Sequence, residues 1–467
     1  MSDGTGVSAR DAAPDIASDE PITGKFPLPA PPIDWSLLPS PCYVIDEGLL
    51  IRNLKLLRDV ADAAECKILL AQKAFSMYSF YPLISEYLDG AASSSLFEAR
   101  LAREEMRKEV HIYAPAYRDD EFDEIRRICD HVVFNSAAQW RRFASRIRGE
   151  KSAGENKKIN INKRSRGLVP LRGTGRSPSG ENSAGKTAEA RPPSCGIRVN
   201  PEYSEIETEI YNPCAPRSRL GTTAAEFEAD MKEITRISAG ENDFDSPAGL
   251  EGLHFHTMCE QGTDTLERTL AVFEKKFGKY LRSVKWVNFG GGHHITRADY
   301  DITLLVRLIR RFREKYGVDV YLEPGEAIAL NAGFLAATVL DITRNGMDIA
   351  LLDASAACHM PDVLEMPYTP HILGSAAPGA IQSGNHPHIY RLGSSTCLSG
   401  DVIGDYAFRR RLVPGDRLVF CDMAIYTMVK NNTFNGVNLP SIVIHTRKGE
   451  CRVIKTFGYE DFKSRLS

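Results

Sequence analysis

The most constraining feature of this sequence is a repeated alternation between short apolar runs and segments with helical spacing. Each run has the length of a β-strand, ends in polar or glycine residues and precedes a helix-like segment. Eight such strand–helix units that close on themselves form a TIM barrel. The sequence therefore predicts an α/β protein with a (β/α)8 TIM-like barrel. The predicted strands are Lys67–Lys73, Gly90–Ser95, Val110–Pro115, His131–Ser136, Cys195–Asn200, Gly252–Thr257, Trp286–Gly291 and Val320–Gly325.

A different pattern begins after about Asp341. Short runs of β-forming residues are separated there by glycine and proline turns, which is typical of a β-rich domain. We predict a barrel domain over residues 41–345 and a C-terminal β-rich domain over residues 346–467. The short apolar run at 41–46 is a candidate strand of the second domain.

Two segments lack either pattern. Residues 1–40 are rich in Ser, Asp, Gly and Pro, and we predict a disordered N-terminal extension. Residues 151–194 carry ten Lys/Arg against three Asp/Glu and few large apolar residues. We predict that they form a disordered basic insert that loops out from the barrel. Contact of the insert with RNA or an acidic surface is the alternative.

The composition limits the classes of function. The 467-residue chain has a formal net charge of -3 and no dominant basic face, which argues against nucleic acid as the main partner. Its ten cysteines show neither CxxC pairs nor a metal-ligand cluster, so we expect reduced thiols and no metal site. Neither a signal peptide nor a membrane-spanning run is recognisable. We therefore expect a cytoplasmic protein that binds neither nucleic acid nor a membrane.

Reactive side chains follow the predicted barrel strands, where the active sites of such barrels lie. Lys73 can form a Schiff base with an aldehyde cofactor if its pKa is lowered, although a solvated surface lysine is the alternative. His254 and His256 share one face of their strand. Gly290–Gly292 can cradle a phosphate, and Glu323 is suited to hold a proton on a heteroaromatic nitrogen. Together these residues match the needs of pyridoxal phosphate.

A Gly/Ser-rich loop in the β-rich region holds a second reactive pair. Cys397 and Asp401 lie four residues apart there, a spacing that suggests proton transfer. A buried, inert cysteine is the alternative.

These residues resemble those of the fold-type III pyridoxal-phosphate decarboxylases, and within that group the carboxynorspermidine/carboxyspermidine decarboxylases. The resemblance runs from about Pro41 to Phe462 and excludes the basic insert. The segments that carry it are Ser93–Leu101, Gly252–Glu260, Glu323–Ala327, Thr396–Tyr406 and Lys430–Gly436.

The resemblance implies a pyridoxal 5'-phosphate site at the barrel mouth. It makes Lys73 the Schiff-base lysine, His256 the residue that stacks on the cofactor ring, and Glu323 the partner of the pyridinium nitrogen. The other cofactor contacts that it implies are Arg198 near the phenolate oxygen, Gly290, Gly291 and Gly292 at the phosphate, Tyr426 as a hydroxyl donor to the phosphate, and Gly325.

The resemblance also implies a shared substrate site. Cys397 would donate a proton and Asp401 would contact the substrate, both from the partner subunit of a homodimer. A polyamine substrate needs acids for its ammonium groups; Asp362 and Glu365 are candidates, although ordinary surface acids are the alternative. One departure is Glu326, since relatives that act on ornithine have arginine there. Phosphate binding must therefore depend on backbone N–H groups and a tyrosine hydroxyl.

The resemblance predicts decarboxylation of carboxynorspermidine or carboxyspermidine to norspermidine or spermidine, a step of polyamine biosynthesis. Two alternatives stay open. One is a decarboxylase for another basic amino acid, such as diaminopimelate or ornithine. The other is a non-catalytic paralogue that regulates an active decarboxylase, which the joint presence of Lys73, Glu323 and Cys397 argues against.

Overall fold

The computed structural model describes residues 31–149, 191–238, 250–376 and 387–467. Residues 1–30 of the predicted extension and residues 151–190 of the predicted insert therefore lie outside the described residues. The strands are β1 (Cys42–Asp46), β2 (Lys67–Ala71), β3 (Gly90–Ser93), β4 (Glu109–Tyr113), β5 (His131–Phe134), β6 (Ser194–Asn200), β7 (Thr222–Thr223), β8 (Leu250–His254), β9 (Trp286–Asn288), β10 (Asp319–Leu322), β11 (Gly333–Asn345), β12 (Met347–Leu352), β13 (Ser375–Ala376), β14 (His388–Ser394), β15 (Val402–Phe408), β16 (Arg417–Cys421), β17 (Ser441–His445) and β18 (Cys451–Lys455).

The helices lie mainly between the barrel strands. The α-helices are α1 (Glu47–Ala64), α2 (Tyr81–Ile84), α3 (Leu96–Leu101), α4 (Asp119–Ile128), α5 (Ala137–Ile147), α6 (Ala224–Ser238), α7 (Thr263–Phe277), α8 (Ile302–Tyr316), α9 (Glu326–Ala329), α10 (Ala356–His359), α11 (Asp362–Glu365) and α12 (Tyr459–Lys463). Short 3-10 turns cover Trp35–Leu37, Tyr78–Phe80, Glu209–Tyr211, Gly278–Ser283 and Phe434–Gly436, and a π-helical turn covers Ala102–Met106. Among the described helices, none is both long enough and apolar enough to cross a membrane.

Eight parallel strands form the barrel that the sequence predicts. Their order is β5-β4-β3-β2-β10-β9-β8-β6, and β6 pairs with β5 to close the barrel. The fold prediction is therefore confirmed. The alternation of side chains on β2 shows how the strands build two layers: Ile68 and Leu70 belong to the large core shared with the helices, whereas Leu69 packs inside the barrel near Val133 and Trp286.

Two glycines make room for Trp286 inside the barrel. A β-carbon on Gly252 would lie 2.0 Å from the Trp286 ring, and one on Gly196 would lie 2.3 Å from it. No side-chain carbon can approach a ring that closely, so both neighbouring strands need glycine at this level. The indole N–H donates to Ser194 Oγ at 2.8 Å, which satisfies a buried donor.

The second domain is a mixed sheet built around β1 and β11. Its strand order is β13-β15-β14-β12-β11-β1-β17-β18, and β16 also pairs with β11. β1 runs antiparallel to β11 and parallel to β17, so the strand at 41–46 joins this sheet. The strand pairing also places Gly333–Asn345 in this sheet, whereas the sequence analysis assigned those residues to the barrel. An apolar run alone does not reveal which neighbours it will pair with.

Residues 31–40 differ from the predicted disordered extension. Trp35 lies in a short 3-10 turn, is buried, and packs edge-on against Phe334 at a centroid distance of 5.6 Å. Burial of an indole contributes enough free energy to order a short segment that is otherwise rich in proline.

We expect Gly252→Ala to lower the free energy of unfolding by about 1–3 kcal/mol, because its methyl group would overlap the Trp286 ring. Urea unfolding followed by tryptophan fluorescence measures the change. Gly458→Ala is the control, since a β-carbon there meets nothing within 4 Å, and its effect should stay within about 0.5 kcal/mol. Equal losses for the two variants would contradict the packing argument.

Candidate active site

A cavity of about 1,770 Å³ opens where the barrel strands end and the second domain begins. The carboxyl ends of parallel strands meet at this end of a barrel, so residues far apart in the sequence come together. The second domain contributes the opposite wall. Of the predicted site residues, the cavity brings together Lys73, His256, Gly291, Gly292, Glu323, Gly325, Asp362 and Tyr426.

Lys73 follows β2 and its side chain projects into this cavity. The amine is accessible to the cavity while protein surrounds it, so burial lowers the pKa of Lys73. The charge of Arg198 lowers this pKa further, against the opposing effect of Glu323. The amine is therefore deprotonated, and thus nucleophilic, more readily than that of a lysine on an open surface.

Glu323 follows β10 and is held by two neighbours. Asn288 Nδ2 donates to Glu323 Oε1 at 2.7 Å, and His254 Nε2 lies 3.2 Å from Oε2. Burial alone would raise the pKa of Glu323, but the contacts with His254 and Asn288 outweigh it and hold the pKa below its usual range. Burial lowers the pKa of His254, so the imidazole is neutral near pH 7. Glu323 is therefore an ionised carboxylate in a fixed orientation.

The glycine run after β9 forms a hollow that side chains would fill. A β-carbon on Gly291 would lie 2.5 Å from the carbonyl oxygen of Glu323, and one on Gly292 would lie 2.0 Å from that of Met258. Gly292 also has a φ of +82°, which glycine adopts without strain. The run therefore leaves space at the cavity wall for a bound group.

The amides of this run correct part of the predicted phosphate site. The Gly290 N–H donates to Asn288 Oδ1 at 2.8 Å, and the Gly291 N–H donates to His256 Nδ1 at 2.7 Å. Both donors are thus engaged, and only the Gly292 amide of the three has no acceptor among the described residues. The bond from Gly291 also fixes the orientation of the His256 ring and leaves the proton on Nε2.

Three other predicted cofactor residues surround the lysine. Tyr426 lines the cavity with a φ of +51°, and its amide donates to the Ala74 carbonyl at 2.9 Å, which holds this unusual conformation in place. Burial raises the pKa of Tyr426, so its hydroxyl remains a donor. Gly325 packs against Ala74. Arg198 is buried outside the described cavity wall, with its guanidinium 4.6 Å from the Tyr113 ring, and it donates to the His256 carbonyl oxygen at 3.4 Å.

The Asp401 carboxylate, which the sequence predicts to contact substrate, is already bonded to four donors of its own chain. It is 4% exposed and accepts hydrogen bonds from the hydroxyls of Ser355, Ser394 and Thr396 at 2.5–2.6 Å and from the Ala357 amide at 3.1 Å. Burial alone would raise the pKa of Asp401, but these hydrogen bonds outweigh it and lower the pKa. Asp401 therefore fixes the loop that carries the predicted proton donor.

Cys397 is exposed in this loop and lies outside the described wall of its own chain's cavity. Its amide donates to Asn435 Oδ1 at 2.8 Å, which ties the loop to the following segment. The apolar side chains next to these two residues are exposed: Leu398, which follows Cys397, is 43% exposed, and Phe434, which precedes Asn435, is 48% exposed. One chain alone thus does not bring Cys397 to Lys73.

Asp362 and Glu365, the predicted polyamine-binding acids, are paired with a cation of this chain. The Lys430 ammonium bonds to both carboxylates. Asp362 and Lys430 line the cavity, whereas Glu365 lies outside its described wall. A substrate ammonium would therefore have to compete with Lys430 for Asp362.

Besides Asp299, which pairs with Arg297, three acids that the sequence analysis did not assign to substrate binding also line the cavity: Glu260, Glu326 and Asp422. Burial and the charge of Glu260 raise the pKa of Glu326 to about 8. Burial and, to a smaller extent, Glu260 raise the pKa of Asp422 to about 6. Crowded carboxylates shift in this direction because ionising one disfavours ionising the next, and a bound cation relieves the repulsion. The replacement of arginine by Glu326 was the one signal of this cluster in the sequence.

A second polar cluster lies at the opposite end of the barrel. His111 and His131 stack with ring centroids 3.9 Å apart and planes inclined by 8°, and His111 Nε2 lies 3.2 Å from Glu109. Parallel stacked rings cannot direct their in-plane lone pairs at one ion, and Glu109 already pairs with the Lys67 ammonium. These residues therefore do not form a metal site in this arrangement.

Comparison with known proteins gives a matching family and several similar sequences and structures. The model of the family described as "Pyridoxal-dependent decarboxylase, C-terminal sheet domain" matches residues 42–424. A carboxynorspermidine/carboxyspermidine decarboxylase of Campylobacter jejuni is 39% identical over 438 residues, which cover 92% of this chain and 99% of that protein. A carboxyaminopropylagmatine decarboxylase of Synechocystis is 40% identical over 433 residues, which cover 92% and 96%. The crystal structure of carboxynorspermidine decarboxylase from Campylobacter jejuni complexed with norspermidine matches with a TM-score of 0.72 at 37% identity, covering 92% of this chain and 100% of that one.

We expect Asp401→Asn to lower the free energy of unfolding at pH 7 by about 1–3 kcal/mol, because an amide cannot accept all of the donors that surround the carboxylate. The pKa of Asp401 is lower in the folded than in the unfolded protein. Its contribution is therefore complete above its unfolded pKa of about 4 and disappears as the pH falls through the folded value. Urea unfolding at pH 7 and at low pH measures both effects.

Asp405→Asn is the matched control for this prediction. Asp405 pairs with Arg391 on the surface, where an ion pair contributes about 0–1 kcal/mol. A loss for Asp401→Asn that is no larger than the control, or that does not shrink at low pH, would contradict the structural role.

Proposed function

Because this chain belongs to the pyridoxal-dependent decarboxylases, we propose that it decarboxylates carboxynorspermidine or carboxyspermidine to form norspermidine or spermidine. The chain is a carboxy-lyase whose cofactor is pyridoxal 5'-phosphate. The relative from Campylobacter jejuni carries the name of the proposed activity, and similarity to it extends over nearly the whole of both proteins. We place the reaction in polyamine biosynthesis and, as the sequence predicts, in the cytoplasm.

The observation in this chain that carries the proposal is the crowding of acids in the cavity. Glu260, Glu326 and Asp422 line it with Asp362, and burial together with the charge of Glu260 raises the pKa values of Glu326 and Asp422. A carboxylated polyamine brings several ammonium groups to such a surface. The cavity, at about 1,770 Å³, also exceeds the usual 300–1,000 Å³ of a small-molecule site, so an extended substrate fits.

The residues at the barrel mouth fit the cofactor. The hollow at Gly291 and Gly292, with the free amide of Gly292 and the Tyr426 hydroxyl, would hold the phosphate. Lys73 would attach the aldehyde carbon, and Glu323 would pair with the ring nitrogen. When bound, pyridoxal phosphate supplies a sink for the electron pair that remains after carbon dioxide departs.

The side chains of this protein have separate tasks in that reaction. Glu323 remains ionised because its oxygens accept from Asn288 and His254, and it can therefore hold a proton on the ring nitrogen. The lowered pKa of Lys73 makes its amine available for attachment and release. The acids of the cavity, which come from both the barrel loops and the second domain, orient the cationic tail of the substrate and so distinguish it from shorter amino acids.

We infer a homodimer whose subunits share active sites. Cys397 is exposed, yet it lies outside its own chain's cavity wall. The loop that holds it is rigidly fixed by Asp401 and is flanked by exposed apolar side chains. Cys397 of the partner subunit is therefore the group we assign to protonate the carbon that loses carbon dioxide.

A second candidate substrate comes from the relative in Synechocystis. That protein is named a carboxyaminopropylagmatine decarboxylase and is as similar to this chain as the first relative. Its substrate also carries several positive charges, one of them a guanidinium. Diaminopimelate, which carries a second carboxylate, fits an acidic cavity poorly. The non-catalytic alternative remains disfavoured, since such a protein has no need of Lys73 beside Glu323.

A substrate panel tests the proposal. We expect the purified enzyme with cofactor to release carbon dioxide from carboxynorspermidine or carboxyspermidine with a kcat/KM at least about 100-fold above that for diaminopimelate or ornithine. Carboxyaminopropylagmatine belongs in the same panel. A preference for diaminopimelate or ornithine would overturn the substrate assignment, and release from no substrate would favour the non-catalytic alternative.

We expect norspermidine binding to release protons near pH 7.5, because Glu326 has a pKa of about 8 without ligand and a bound ammonium lowers it. Calorimetry in buffers of different ionisation enthalpy measures the number of protons released. Glu326→Gln should abolish most of this release and raise KM about tenfold or more with a smaller change in kcat. Equal proton release by the variant would show that Glu326 does not receive the ammonium.

Mixed dimers test the shared site. Lys73→Ala and Cys397→Ala should each be nearly inactive, whereas an equal mixture that exchanges subunits should regain about a quarter of wild-type activity, since half of its dimers then hold one complete site. Each variant incubated alone is the control. No recovery after proven subunit exchange would contradict the proposed arrangement.

A further inference from the structure

His254 occupies a buried position directly behind Glu323. The residue is 1% exposed, and its ring stacks on Tyr113 with a centroid distance of 5.5 Å and planes inclined by 23°. Strand pairing sets His254 of β8 beside Asn288 of β9, which neighbours β10 and the glutamate that follows it. Three adjacent strands therefore place the imidazole, the amide and the carboxylate in one row.

The surroundings of the ring determine which nitrogen carries the hydrogen. His254 Nε2 lies 3.2 Å from Glu323 Oε2, whereas Nδ1 is buried without a hydrogen-bond partner in the described part of the chain. A hydrogen on Nδ1 would be an unsatisfied buried donor, which is costly. The hydrogen therefore belongs on Nε2, and the imidazole donates to the carboxylate.

We propose that His254 is a positioning residue that keeps Glu323 ionised and correctly oriented for the cofactor. A histidine that served only packing would not need its one satisfied nitrogen to face the carboxylate. His254 and Asn288 each donate to a different oxygen of Glu323. A protonated carboxyl group would place its own hydrogen against one of these donors, so the pair disfavours protonation.

The neutrality of both donors matters for the reaction. Arg198 carries positive charge in the same region, but its guanidinium donates to the His256 carbonyl oxygen at 3.4 Å, and no hydrogen bond joins it to Glu323 among the described residues. A cation in contact with the carboxylate would neutralise it. Two neutral donors fix the carboxylate and leave its charge free to hold a proton on the ring nitrogen.

This inference rests on the cofactor and not on the identity of the substrate. The absorbance of the bound cofactor reports its protonation without any substrate. Failure of the protein to act on a carboxylated polyamine would therefore remove the substrate assignment alone, whereas the spectrum tests His254 directly.

The experiment compares His254→Leu, which removes the donor, with His254→Gln, which can supply an N–H in its place. We expect His254→Leu to lower kcat about 10- to 100-fold with KM changed less than about threefold, as for a lost hydrogen bond to a charged group. His254→Gln should recover most of the loss. In the His254→Leu holoenzyme, the pH at which half of the bound cofactor has changed its absorbance should shift upward by at least about half a unit. The reason is that a cofactor ring without a proton on its nitrogen withdraws fewer electrons.

A double-mutant cycle separates positioning from a general effect on the fold. In a Glu323→Gln background, His254→Leu should change kcat and the absorbance midpoint little, because the group through which it acts is gone. His131→Leu is the matched control: His131 is another barrel histidine, packed against His111 away from the cavity. It should leave the spectrum unchanged and kcat within about threefold.

Two results would overturn the proposal. One is an unshifted absorbance midpoint in folded His254→Leu holoenzyme. The other is a loss in the Glu323→Gln background as large as in the wild type. If His254→Leu does not fold, His254→Ser makes the same test, since its hydroxyl is too short to reach Glu323.

Discussion

The parallel pairing of β2 with β10 is the constraint on which the rest of the structure depends. Lys67 and Ile68 pair with Tyr321 and Leu322, which joins the first and last barrel strands although about 250 residues separate them. The pairing continues beyond the strands, where the Ala71 amide donates to the Pro324 carbonyl at 3.2 Å. It therefore brings Lys73 and Glu323, which the proposed reaction requires together, to one barrel mouth. Any slip in this register would separate them.

Charge determines what the resulting cavity can accept. On the barrel side, the contacts with His254 and Asn288 keep Glu323 ionised. Burial and the charge of Arg198 keep the Lys73 amine reactive. Elsewhere in the cavity, burial and the neighbouring Glu260 raise the pKa values of Glu326 and Asp422, and a bound cation would lower them. The Lys430 ammonium already pairs with the carboxylate of Asp362. The cavity therefore separates a site for cofactor chemistry from a site for a cationic tail.

Sequence reasoning succeeded where a local pattern has a local cause. Each barrel strand is an apolar run bounded by turn residues, and the reactive residues directly follow such runs, so the barrel and the place of Lys73 and Glu323 could be predicted. Prediction from the sequence was incomplete where the cause was a contact between residues far apart in the chain. Trp35 packs against Phe334, about 300 residues away in the chain, and the Asp401 carboxylate accepts hydrogen bonds from hydroxyls of two separate segments. No local signal distinguishes a saturated carboxylate from a free one.

We propose that Lys73 holds pyridoxal phosphate at the barrel mouth. Borohydride reduction of the holoenzyme makes the attachment permanent, and mass spectrometry of its peptides then locates the modified lysine. The account predicts a pyridoxyl group on the peptide that contains Lys73, and none when Lys73 is replaced by alanine. Modification of Lys430 or another lysine in the native holoenzyme, with Lys73 unmodified, would contradict it.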